Sequence, residues 1–187
     1  MAGPKYMSEV TPTEVVRFWL EAGPERWWKK DDEFDRTIRS RFLALYEAAA
    51  RGELASFEDS AEGALALVIL LDQFPRNMFR GSPQAFATDP LARDVATRAL
   101  ARGFDRAVDA TLRQFFYIPF MHSETLADQN LCVHLCEALN QAGLSQYATM
   151  HRDVIAQFGR FPHRNPIVGR DTTADEQKFL DGGGFAG

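Results

Sequence analysis

Residues 60–81 read SAEGALALVILLDQFPRNMFRG. Ser60 has the form of an N-cap, and from Ala64 to Leu71 apolar residues occupy every face of the helix that follows. A helix without a polar face has to lie inside the protein, so this one is expected to be central and buried on most sides. Asp72 sets a negative charge near its C-terminal end, which the helix dipole disfavours by a few tenths to about 1 kcal/mol. A cationic partner is therefore expected, Arg76 or Arg80. Phe74-Pro75 is read as the stop, with 76–81 as the turn that follows.

The pattern repeats outward from this segment. Thr11-Pro12 with Glu14 has the form of a capping box, and Val15, Val16, Trp19 and Leu20 make an inner stripe up to Gly23-Pro24. Asp31 and Asp32 open a second helix carrying Phe34, Ile38, Phe42, Leu45 and Ala49 at helical spacing, closed by Gly52. Beyond the central segment, Asp89-Pro90 starts a helix with Leu91, Val95 and Ala99 inside, and Asp105 is expected to cap another that runs through Leu112 to Ile118. Ser123 is read as the cap of a helix with Ala127, Leu131, Leu135 and Leu139 on its inner face, and Ser145 as the cap of one that breaks at Gly159. Thr173 with Glu176 makes a second capping box. The result is an all-α chain of about eight helices, stacked as antiparallel helical hairpins in a single domain over 1–187, with 1–10 and 181–187 as mobile tails.

The composition excludes several classes of function. At 187 residues, with 45% hydrophobic and 25% charged residues and a net charge of −5, the chain is of ordinary soluble type and long enough for one core. The negative balance argues against nucleic acid and acidic lipid as partners, because both recruit an excess of cations. No apolar run is long enough to span a bilayer, so a cytoplasmic location with no membrane contact is expected. Cys132 and Cys136 share one helix face and are read as reduced and buried. His134 lies on another face, so no metal site and no cofactor are expected.

A local cationic centre stands against this acidic background. The stretch 151–170, HRDVIAQFGRFPHRNPIVGR, carries four arginines and two histidines against one acid, Asp153. His151 falls on an apolar helix face: it is either a core histidine satisfied by a backbone carbonyl or a general base. Arg164, Asn165 and Arg170 lie in a loop held by Pro162 and Pro166, a stiff mount for a fork aimed at a carboxylate or phosphate. The competing reading pairs these arginines with Asp72, Asp153, Asp171 or Glu124 as braces between helices. An echo links two regions: Gln73-Phe74-Pro75-Arg76-Asn77, then Arg80-Gly81, against Arg160-Phe161-Pro162-His163-Arg164-Asn165, then Gly169-Arg170.

Together LDQFPRNMFRG (71–81), FATDPLAR (86–93), FFYIPFMHSE (115–124) and HRDVIAQFGRFPHRNPIVGR (151–170), with the Thr-rich acidic start at 172–176, resemble the bacterial domain-of-unknown-function family 924. The resemblance implies an all-helical, tetratricopeptide-repeat-like fold and brings no catalytic residues with it. Its motif positions nominate a ligand-binding set of Asp72, Arg76, Asn77, Arg80, His122, Arg160, Arg164, Asn165 and Arg170. His151, His163 and Glu124 are the acid-base candidates if the ligand is turned over. The expected partner is a small anionic ligand in an Arg/His-lined groove, its three walls being 71–81, 119–124 and 151–170. The alternative is a helical-repeat module that holds a peptide or a partner carboxylate without chemistry, in a groove that exposes Phe115, Phe116 and Tyr117.

Overall fold

A computed structural model describes residues 10–185; the expected N-terminal tail lies almost wholly outside them, as do 186 and 187. Among the described residues there is no strand, and no helix is long and apolar enough to cross a membrane. The principal helices are α1 (Pro12–Ala22), α2 (Asp32–Ala50), α3 (61–78), α4 (Asp89–Ala101), α5 (Leu126–Ala138), α6 (Ala142–Phe158) and α7 (Ala174–Asp181). Both capping boxes form, at Thr11 with Glu14 and at Thr173 with Glu176, and the Asp31 side chain accepts from the amides of Glu33 and Phe34. These starts are local hydrogen bonds between near neighbours, which is why the residue pattern announces them.

Helix α3 is the axis of the fold. Every residue from Gly63 to Pro75 is buried, and α1, α2 and α4 pack around it. Aromatic side chains seal its flanks: Phe74 meets the rings of Phe18, Trp19 and Phe42 at 6.1, 5.7 and 4.9 Å. On the far side, α5 and α6 form a hairpin.

The expected stop at Phe74-Pro75 is corrected: the helix runs on to Met78. It does so by widening into a π turn over Ile69–Gln73, in which the Phe74 amide reaches the Ile69 carbonyl. In a regular helix Pro75 would leave the carbonyl of Leu71 without a donor. Here the hydroxyl of Thr88 supplies it, donating to Leu71 O at 2.6 Å. One turn on, Arg76 donates to the Asp72 carbonyl at 2.7 Å. Proline is tolerated because the freed carbonyls have found partners outside the backbone ladder.

Further expectations give way, among them the caps at Ser123 and Ser145: α5 is preceded by Thr125, and α6 begins at Ala142. The stretch 104–121 is not a long helix but three short turns, Phe104–Ala107, Arg113–Phe116 and Ile118–Met121. Asp105 does not cap a helix: it accepts from the Tyr117 hydroxyl at 2.8 Å, while the Asp109 side chain captures the Thr111 amide. In α5 the buried face carries Gln129, Cys132, Val133 and Cys136, and Leu131 is turned outward. The two thiols are buried and free, as expected.

The Thr88 hydroxyl generates a specific prediction. Thr88→Val keeps the shape but strands a buried carbonyl, so unfolding in urea should show a loss of about 1–3 kcal/mol. An unchanged midpoint would mean that the Leu71 carbonyl does not depend on Thr88.

Candidate functional site

The π turn aims Asp72 into the protein, where its side chain is completely buried. Oδ1 lies 2.8 Å from Nδ1 of His122, Oδ2 accepts from Gln73 Nε2 at 2.6 Å, and Arg76 Nη1 stands 3.5 Å away. Burial pushes the Asp72 carboxyl up, but the charge of Arg76 and the hydrogen bonds from His122 and Gln73 outweigh it and hold it below the usual carboxylate range. Burial and the charge of Arg76 push His122 below its ordinary value, against the pull of Asp72, so its ring is neutral at pH 7. A carboxylate has no proton to give, so the hydrogen sits on Nδ1 and Nε2 keeps its lone pair.

Arg76 extends the network to α4. Its guanidinium forms a fork on Asp89, with bonds of 2.8 and 2.9 Å. Asp89 lies in the first turn of α4, where the amide end of the helix favours a negative charge. Arg164, from the turn Pro162–Arg164, approaches the same carboxylate at 3.8 Å. The echoed segments thus deliver their arginines to one acid. Arg164 also lies over the rings of Phe86 and Phe161, 4.6 and 4.5 Å from their centroids. Its side chain is 10% exposed, no hydrogen bond leaves its guanidinium among the described residues, and its Nε is enclosed without a partner. Burial and the neighbouring Arg76 lower it to about 10, so it remains charged at neutral pH.

Glu124 closes the third side. It accepts from Arg170 at 2.7 and 2.9 Å and from the Phe161 amide at 2.8 Å. Burial raises its carboxyl, but these partners bring it below the usual range. The three expected walls meet: 71–81 through Asp72 and Arg76, 119–124 through His122 and Glu124, and 151–170 through Phe161, Arg164 and Arg170.

Other nominated residues face elsewhere. Asn77 and Arg80 both turn to Asp35 of α2. Arg160 forks on Glu176 at 2.6 and 2.8 Å, and that carboxyl is held at about 2, first by the bond from Arg160. Asn165 is buried and donates toward Thr172 and Glu176. These contacts are braces between helices. His151 donates from Nδ1 to the Tyr147 carbonyl at 2.8 Å and packs against Phe161 and Phe185. That is the core-histidine arrangement. His163 has its Nδ1 enclosed without a partner and lies against Phe161 and Phe185.

Two members of the centre were not nominated from sequence, Asp89 and Phe86. Both lie in FATDPLAR, where Asp89 carries the signal of a helix start and Phe86 carries no signal of its own. Phe115, Phe116 and Tyr117 are buried, so they do not line an exposed groove. No group of three or more His, Cys, Asp or Glu side chains among the described residues could hold a metal ion.

The buried histidines carry a consequence for stability. Burial lowers His151 and His163 to about 4 each. A ring kept neutral in the fold, but free to protonate near pH 6.5 once unfolded, binds more protons in the unfolded state. Stability must then fall as the pH drops from about 6.5 to about 4. For His151 the full difference is roughly 3 kcal/mol. Unfolding measured across that window should show this slope, and His151→Gln should flatten it; an equally steep slope in the variant would remove His151 as its source.

The family model described as "Bacterial protein of unknown function (DUF924)" matches residues 15–184. The solved structure of a protein of unknown function from Agrobacterium tumefaciens is 47% identical, covers 91% of this chain and 97% of its own, and superposes with a TM-score of 0.89. No curated protein matches the chain. A match over residues 15–184 settles membership: the chain belongs to the bacterial family of unknown function DUF924.

Proposed function

We propose that the centre formed by Asp72, Asp89, His122, Glu124, Arg164 and Arg170 binds a small anionic metabolite, with Arg164 as the residue that receives it. The supporting observation is the unequal pairing of the arginines. Arg76, Arg80, Arg160 and Arg170 each donate to a carboxylate at hydrogen-bond distance, whereas Arg164 donates to none and stands 3.8 Å from Asp89. A guanidinium that is mostly removed from water and left without hydrogen bonds is held at a penalty of several kcal/mol. An anion bound in a planar fork would offset that penalty. The aromatic rings of Phe86 and Phe161 fix the plane of the fork, which favours a flat acceptor group over a diffuse counterion. The neutral His122 and His163 add donors or acceptors without adding charge.

The test is stabilisation of the folded chain by simple anions. Acetate, glutarate and inorganic phosphate should be titrated while thermal unfolding is followed. At about 100 times its dissociation constant a ligand adds ~2.7 kcal/mol, or about 5–10 °C for a chain of this size. At least one of the three should produce such a shift, and Arg164→Met should abolish it while Arg80→Met should not. No shift with any probe, or an equal shift in Arg164→Met, removes this reading.

A further inference from the structure

We propose that Asp72 and His122 form a general-base dyad that hydrolyses an ester whose acyl part carries a carboxylate, the carboxylate being the anion held by Arg164. This rests on the anion-binding reading above and adds to it a reaction and a class of substrate.

The first observation is the orientation of His122. Its Nδ1 is committed to a fully buried carboxylate at 2.8 Å. Nε2 has no protein partner among the described residues, and the His122 side chain is 15% exposed. A neutral imidazole with its lone pair unengaged and an anion behind it can take a proton and be stabilised while it holds that proton. His151 and His163 lack this arrangement. The first gives its Nδ1 hydrogen to a backbone carbonyl, and the second has an enclosed Nδ1 without a partner.

The second observation is the backbone that delivers Asp72. The π turn over Ile69–Gln73 interrupts the most buried helix of the fold and requires Thr88 to repair the carbonyl that Pro75 leaves open. Such bulges recur where a helix must present a functional side chain. This one places both Asp72 and Gln73 on the inner side, where Gln73 fixes the carboxylate by donating to Oδ2.

The third observation is the charge balance, which selects the ligand. Arg76, Arg164 and Arg170 face Asp72, Asp89 and Glu124, so the centre is already neutral when His122 is neutral. A phosphate dianion would leave two uncompensated charges in a poorly hydrated site; a carboxylate leaves one, which Arg164 meets as a planar pair. The nucleophile is water. Ser123 already donates to Asp128 and accepts from the Thr125 amide, and the two thiols are buried against each other.

The step balances without a co-reactant. His122 Nε2 takes a proton from water as the water oxygen bonds to the acyl carbon. The tetrahedral intermediate then collapses, the carbon–oxygen bond to the alcohol breaks, and the leaving oxygen departs with the electron pair. The proton on Nε2 passes to that oxygen or to solvent, giving a free acid and an alcohol. His122 is the catalytic residue and Asp72 the positioning residue. The charges that face the ring are Asp72 and Arg76 from α3 and Asp89 from α4, with His151, His163 and Arg164 beyond them.

The experiment uses the full chain with mono(4-nitrophenyl) glutarate and its uncharged counterpart, 4-nitrophenyl valerate. The glutarate ester should be hydrolysed with kcat/KM at least tenfold higher than the valerate ester. His122→Gln should lower kcat on both at least 100-fold, the scale of a lost general base, with the thermal midpoint measured to show that the variant is folded. Asp72→Asn should lower kcat about tenfold or more and move the acidic limb of the pH–rate profile to lower pH, because the imidazolium loses its counter-charge; a purely structural role would leave the limb in place. Arg164→Met should erase the preference for the glutarate ester. Release of nitrophenolate no faster than in buffer, or equal rates in folded His122→Gln, overturns the dyad. Loss of activity in His122→Gln without any preference for the carboxylate ester keeps the dyad and overturns the anion reading instead.

Discussion

The completely buried carboxylate of Asp72 constrains the rest of the structure more than any other single group. Removing an ionised carboxylate from water carries an effective penalty of several kcal/mol, recovered only if donors converge on it with good geometry. Those donors come from different places in the chain: Gln73 beside it, Arg76 one turn on, and His122 across the core. The position of Asp72 therefore fixes where the turn Ile118–Met121 must end relative to α3. It also explains why α3 departs from regular geometry at that point. A regular helix would present Asp72 and Gln73 on successive faces and would collide with Pro75; the wider turn solves both problems, at the expense of a carbonyl that Thr88 must cap.

From Asp72 the charges alternate outward as a chain, and its last link is the longest. Asp72 shares Arg76 with Asp89, and Asp89 is shared in turn by Arg76 at 2.8 Å and Arg164 at 3.8 Å. Arg164 is the end of the chain and the least satisfied. By contrast Arg80 with Asp35 and Arg160 with Glu176 are closed pairs that tie α3 to α2 and α6 to α7, and nothing about them asks for a ligand. Both kinds of arginine come from the same two motifs. What separates brace from candidate ligand is the acid each arginine meets, a property of the tertiary arrangement.

That distinction explains what could be read from residues alone. The helix starts at Thr11, Asp31 and Thr173 were legible because cap and amide are three or fewer residues apart, and the central position of α3 was legible because no face of it is polar. The passage of a helix through Pro75 was not legible, since it depends on a hydroxyl seventeen residues away in sequence. Nor were the turns of 104–121, where the side chains of Asp105 and Asp109 take up other bonds than a helix would give them. The inner face of α5 was misassigned because leucine spacing outweighed Gln129, Cys132 and Cys136 in the pattern. For the site, the convergence of three segments was legible from their clustering of Arg, His and acid. The membership of Asp89 was not, because an acid beside proline at a helix start already has a sufficient local reason to be there.

The same reasoning changes which histidine matters. In the sequence His151 stood out, since a polar ring on an apolar face calls for an explanation. Its explanation is the carbonyl of Tyr147 and the rings around it; burial lowers the ring to about 4 against the pull of the Tyr147 bond, and no counter-charge is in direct contact to stabilise the protonated form. His163 is lowered to the same level with even fewer partners. A lowered value alone makes a ring neutral; it does not make it a base that can act. Proton transfer to a buried ring needs an anion already in place to receive the new charge, and of these three histidines His122 alone is bonded to one, the carboxylate of Asp72.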